Sequence, residues 1–118
     1  MINQYEVVAC MRDEFPQVSN EIPELAALDI HSTIQGLTDY AKQKASLNDF
    51  LEVKKCMLFA EKMYGKGNKY VKDVIENVFV YSFSSMLLCE RNQKMKLLAL
   101  IPLSLYSVYV QQILRSHI

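Results

Sequence analysis

Apolar residues recur every three or four positions along most of the chain, and β-branched residues never settle into alternation over a strand-length run. The pattern therefore predicts helices throughout and needs no strands. Tyr5, Val8, Met11 or Arg12, and Phe15 mark a first helix from about Asn3 to Glu14, with Asn3 as its N-cap and Phe15-Pro16 as its stop. Residues 16–30 hold Pro16, Ser19, Asn20 and Pro23 ahead of Glu24-Leu25-Ala26-Ala27-Leu28, which predicts a connector with at most one short helical turn. Ser32 is expected to cap a second helix carrying Ile34, Leu37, Tyr40, Ala41 and Lys44. A third carries the clearest stripe, Phe50, Val53, Met57, Ala60 and Tyr64, and stops at Gly65-Lys66-Gly67. Asn68 then caps a fourth that runs through Val71, Val74, Ile75, Val78, Phe79, Phe83, Met86 and Leu87, forming an antiparallel hairpin with the third.

No charged residue occurs from Asn77 to Cys89 or from Leu97 to Gln112, so the fourth and fifth helices are apolar nearly all round and are expected at the centre. Pro102 lies within the fifth, where it removes a backbone bond and predicts either a kink or a true start near Leu103. Together these elements predict an all-α fold: one domain over residues 1–118, a compact bundle of about five helices with a central antiparallel helical hairpin. Tyr5, Tyr40, Tyr64 and Tyr106 fall on the apolar stripes and are expected in the core or at its edge, their hydroxyls reaching water or backbone.

Composition narrows the class. With 118 residues, 51% hydrophobic and 22% charged, the chain can bury roughly two thirds of its unfolded surface without a disulfide or metal staple. Cys10, Cys56 and Cys89 are odd in number, widely spaced and embedded in apolar periodic segments, which argues against a disulfide framework or a zinc site and for a reducing compartment. The N-terminal residues show no basic stretch followed by an apolar core, so a cytoplasmic location is expected. The zero net charge conceals an asymmetry. Residues 1–31 carry six acids (Glu6, Asp13, Glu14, Glu21, Glu24 and Asp29) against Arg12 alone, whereas residues 32–118 carry twelve bases against seven acids. Blocks of charge bear on encounter and partner choice rather than on fold.

Several chemistries are set aside on spacing. The uncharged run of residues 97–110 is shorter than the roughly twenty residues a membrane crossing requires, so a buried helix is expected and no membrane insertion. Gly65-x-Gly67 lacks the further glycines, the lysine and the preceding strand of a phosphate-cradling loop and is read as a helix-ending turn. His31 and His117 have no histidine partner at metal-ligand spacing, and no serine or cysteine sits in a nucleophile motif. Asp13-Glu14 and the Glu21, Glu24 pair read as solvated carboxylates rather than as an acid/base couple. Lys42, Lys44, Lys54, Lys55, Lys62, Lys66, Lys69 and Lys72 are interleaved with Asp39, Asp49, Glu52, Glu61 and Asp73, which dilutes the coherent basic face nucleic acid requires. No catalytic residue, cofactor or metal is expected.

The stretch from Phe59 to Phe83, a helix with Phe59-Ala60-Glu61, the Gly65-Lys66-Gly67 turn, Val71-Lys72-Asp73-Val74-Ile75 and Tyr81-Ser82-Phe83, resembles a HEAT-like helical hairpin of small bacterial all-α proteins, some similar to immunity proteins of polymorphic toxin systems. Ser84 and Ser85 stand where such members often carry an acidic residue. The resemblance implies a non-enzyme that binds and neutralises one cognate protein toxin. The acidic front third supplies a means, because a negative surface steers toward a positive partner. The expected contact residues are Glu6, Asp13, Glu14, Glu21, Glu24 and Asp29. The alternative is a structural or adaptor subunit that self-associates, as a homodimer, through apolar surface left over from the last two helices.

Overall fold

In the computed structural model the described residues are 1–20, 29–84 and 94–116. Among them the fold is all-α, and the only extended pairing is an isolated bridge between Ile2 and Gly67. Helix α1 (Gln4–Glu14) starts where expected: the Asn3 side-chain oxygen accepts from the Tyr5 and Glu6 N–H groups, both at 3.0 Å, which satisfies two donors a helix start leaves open. Phe15 closes it with its N–H on the Met11 carbonyl, and Pro16, which has no N–H to lose, opens the short helix α2 (Pro16–Ser19). It lies at the start of the expected connector, whose residues 21–28 are outside the described residues.

Helix α3 (Ile30–Ser46) begins three residues before the start that a Ser32 cap would give. Asp29 caps it, accepting from the His31 N–H at 3.2 Å and the Ser32 hydroxyl at 3.1 Å, so Ser32 lies inside the first turn. A carboxylate at this end also meets the positive pole of the helix dipole, which a serine hydroxyl does not. Asn48, at φ 59°, reverses the chain in a left-handed conformation that asparagine tolerates, and Asp49 caps helix α4 (Phe50–Lys66).

Helix α4 buries Val53, Cys56, Met57, Phe59, Ala60 and Met63 and meets helix α5 (Lys69–Val74) across Gly67-Asn68, forming the expected hairpin. Gly67 is required there by close approach: a Cβ would fall 2.5 Å from both the Met63 carbonyl oxygen and Val71 Cγ1. The N-terminus ties down this tip, with the Ile2 N–H on the Lys66 carbonyl at 2.8 Å and the Asn68 N–H on the Ile2 carbonyl at 2.9 Å. A carbonyl left over at the end of α4 thereby finds a donor.

Helix α5 continues through a π-helical segment (Ile75–Val80), and residues 81–84 return to α geometry. The wider turn advances the buried face by one position. Ile75, Phe79, Val80 and Phe83 are buried, whereas Val78, expected in the core, is only half-buried. Met86, Leu87 and Cys89 lie outside the described residues. The last expected helix is two: α6 (Lys94–Leu100) and α7 (Leu103–Ser116), separated at Ile101-Pro102. Of the two outcomes foreseen for Pro102, the new start near Leu103 is realised, with the Tyr106 N–H on the Pro102 carbonyl at 2.8 Å.

One contiguous apolar core runs from Val7 on α1 to Tyr109 on α7. The radius of gyration, 13.6 Å, matches the value of about 13.5 Å expected for a compact chain of this length. The expectation that both uncharged stretches sit centrally holds for the described part of the first alone, where the π segment packs against α3, α4 and α7. Helix α7 covers the core with Leu105, Val108 and Tyr109 and turns its opposite side outward.

Candidate protein-binding surface

The six carboxylates singled out by sequence do not form one patch. On α1, Val7, Val8 and Met11 bury one face, and Glu6 and Asp13, two helical turns apart, project from the other with exposed Ala9 between them. Neither carboxylate joins an ion pair among the described residues. Glu14 lies to one side and meets Lys62 of α4 at 3.3 Å, an exposed pair of little energetic weight. Asp29 is committed to capping α3, with His31 Nδ1 3.7 Å from its Oδ1. Glu21 and Glu24 lie outside the described residues.

Beside the end of α1, Glu14, Phe15, Lys55, Leu58, Phe59 and Lys62 line an open groove of about 400 Å³ between α1 and α4. Its floor is aromatic, through Phe15 and Phe59 packed edge to face with ring centres 5.5 Å apart, and its rim carries both signs of charge. An apolar recess between α4, α5 and α7, lined by Met57, Phe79, Phe83, Leu105 and Tyr109, holds only about 10 Å³. That is at the lower limit for one water, so it is a packing imperfection rather than a ligand cavity.

Two tyrosine–carboxylate bonds span successive helix pairs. The Tyr40 hydroxyl donates to Glu52 Oε2 at 2.8 Å across α3 and α4, and the Tyr64 hydroxyl donates to Glu76 Oε1 at 2.7 Å across α4 and α5. Burial, reinforced by the Glu76 carboxylate, pushes the Tyr64 hydroxyl up to about 12, and burial raises Tyr40 in the same direction. The Lys55 ammonium, with the Tyr40 hydroxyl, holds the Glu52 carboxyl below its ordinary value. These partners were not foreseen, since water or backbone was expected. The available signal was a tyrosine late in one helix and a glutamate twelve residues on, early in the next. Tyr5 and Tyr106, also expected near the core, are 68% and 42% exposed.

Glu76 has a second role. Its backbone carbonyl, inside the π segment, accepts from the Gln112 side-chain amide of α7 at 2.9 Å; the Ser84 hydroxyl, which donates to the Val80 carbonyl at 2.8 Å, lies 3.4 Å from the Gln112 oxygen. This lock fixes the rotation of α7 about its axis. Leu105, Val108, Tyr109 and Gln112 point inward, and Leu103, Ser107 and Leu114 point out, with half-buried Val110 beside them. The sequence showed the surplus apolar residues of this helix but not that they form a second, opposite stripe.

Cys10 and Cys56 are free thiols, and burial pushes Cys56 up to about 12, far from a reactive thiolate; Cys89 and His117 lie outside the described residues. Among the described residues, no three histidine, cysteine or acidic side chains converge as a metal site, and no helix is long and apolar enough to cross a membrane.

A family model described as a domain of unknown function (DUF7674) matches residues 8–115. No curated protein and no solved structure matches the chain.

Proposed function

We propose, for a chain that belongs to the DUF7674 family, that it is a non-enzymatic protein-binding domain acting in the cytoplasm as an immunity protein, which recognises a basic toxin through the outer face of α1 and neutralises it. The observation that supports this most is the pair of exposed carboxylates Glu6 and Asp13, aligned on one side of a helix whose other side is anchored by Val7, Val8 and Met11. A rigid helix presenting like charges in register needs no ordering on encounter and steers an oppositely charged partner. The groove beside Glu14 adds the exposed apolar surface of Leu58, seated over buried Phe15 and Phe59, next to that face.

The test uses the protein encoded beside this one as the partner, with association measured at low and high salt. Glu6→Lys with Asp13→Lys is expected to slow association at least about tenfold at low salt, with the difference shrinking as salt screens the charges. Equal rates for wild type and the double variant would reject the α1 face. A self-associating subunit is the second reading, favoured by the outward stripe of α7.

A further inference from the structure

We propose that the outward face of α7 is a self-association seam, on which the same helix of a second copy of this chain packs antiparallel about a twofold axis. The face carries Leu103, Ser107, Val110 and Leu114, spaced four, three and four residues apart, the repeat by which one helix presents a continuous seam to another. Leu103 is 80% exposed and Leu114 59%, although the opposite side of the same helix is packed into the core. A helix with two apolar faces has one more than its own domain covers.

The order of residues selects a second copy as the occupant. Run antiparallel, Leu103 falls opposite the partner's Leu114 at each end, and Ser107 falls opposite the partner's Val110 on either side of the axis. Bulky pairs at the ends and a small residue beside a medium one at the centre let the two helices approach closely, and the same patch serves both partners, as a twofold interface demands. Charge agrees with this choice. From Leu97 to Leu114 the chain has no charged residue, so Ser104, Tyr106, Gln111 and Ile113 flank the seam with neutral groups. Two copies therefore meet without like-charge repulsion, and nothing on this face steers toward an acidic or a basic partner.

The structure also supplies the rigidity such a seam requires. Pro102 starts the helix afresh, and the Gln112 amide on the Glu76 carbonyl, with buried Leu105, Val108 and Tyr109, sets its rotation, so the stripe is displayed in one orientation. Side chains of this size and exposure bury roughly 400–500 Å² per copy, below the roughly 600 Å² per partner at which stable interfaces begin, which places the pair among weak, reversible associations. A dimer that forms in the micromolar range and dissociates on dilution follows. This proposal rests on the second, self-associating reading and is independent of the α1 face, which lies on another helix.

Sedimentation equilibrium of the wild-type chain, with Leu103→Glu alone, Leu114→Lys alone and an equal mixture of the two, tests it. The wild type is expected to dimerise reversibly between about 1 and 100 µM. Each single variant would face a charge onto a leucine at both ends of the seam and is expected to weaken association at least about a hundredfold. In the mixture, the carboxylate introduced into one chain meets the ammonium introduced into the other at one end of the seam, while the leucine pair at the opposite end is kept, so dimer is expected to reappear. Helical circular dichroism checks that the variants stay folded, as substitutions at exposed positions allow. A wild type that remains monomeric to about 500 µM, or single variants that dimerise as tightly as wild type, would overturn the seam. A mixture that stays monomeric beside a dimeric wild type would overturn the antiparallel arrangement.

Discussion

Tyr64→Phe isolates one hydroxyl at the joint between α4 and α5. The ring stays, with its packing and the Lys72 ammonium 5.7 Å from its centre, while the 2.7 Å bond to Glu76 is removed. A hydrogen bond to a charged acceptor contributes about 1.5–3 kcal/mol, and Glu76, only half-buried, recovers part of its loss from water, so the lower end applies: about 1.5 kcal/mol at pH 7. For a domain of this length that lowers the midpoint of thermal unfolding by roughly 6 °C. The alkaline limb gives an independent measure. Tyr64 loses its proton at about 12 in the folded chain, against an ordinary value of 10.0, so the unfolded chain releases that proton first. The stabilisation is complete below pH 10 and is lost as the pH rises through 12. Two pH units correspond to an upper bound of about 2.7 kcal/mol, reduced by the partial exposure of the ring. Urea unfolding followed by circular dichroism from pH 7 to 11.5 should show wild type losing stability above pH 10, and Tyr64→Phe starting lower but declining less. Tyr5→Phe, at a tyrosine 68% exposed, is the control expected to match wild type. A Tyr64→Phe chain within about 0.3 kcal/mol of wild type at pH 7, with an unchanged alkaline slope, would refute the role given to this bond.

Other elements of the fold make further demands. Gly67→Ala drives a methyl against the Met63 carbonyl and Val71 and is expected to cost at least about 2 kcal/mol in urea unfolding, where an ordinary exposed substitution costs under about 0.5. Asp29→Ala removes the cap of α3 and is expected to cost about 1 kcal/mol by the same assay, with Asp29→Asn recovering most of it. Cys56 should resist a thiol reagent at pH 8 in the folded chain and react at an ordinary rate in urea, as mass spectrometry of the labelled peptides would show; labelling of Cys56 in the native chain at the rate of half-buried Cys10 would contradict its burial.

Much of the architecture was written in local chemistry. Asn3, Pro16, Gly67 and Asn68 act within a turn of where they stand, so helix starts and stops could be read directly. The cap of α3 was misplaced because Asp29 and Ser32 are both competent caps three residues apart, and the dipole decided for the carboxylate. The π segment was invisible because no local residue marks it, and the bond that meets its Glu76 carbonyl comes from Gln112, 36 residues away. A strict helical period therefore placed Val78 inside and overlooked Val80. The acidic block was legible as charge but not as surface, since sequence cannot tell that Asp29 is spent on a cap and Glu14 on Lys62 while Glu6 and Asp13 share a face. Likewise, the uncharged last helix announced excess apolar area without revealing which half of it the core would take.

The proposed function rests on recognition of a protein by the outer carboxylates of α1. Survival of host cells expressing the product of the adjacent gene measures that directly, with wild type or the folded Glu6→Lys, Asp13→Lys variant supplied together with it. Protection by wild type and its loss in the variant is the predicted result. Equal protection by both chains, or none from correctly folded wild type, would contradict it.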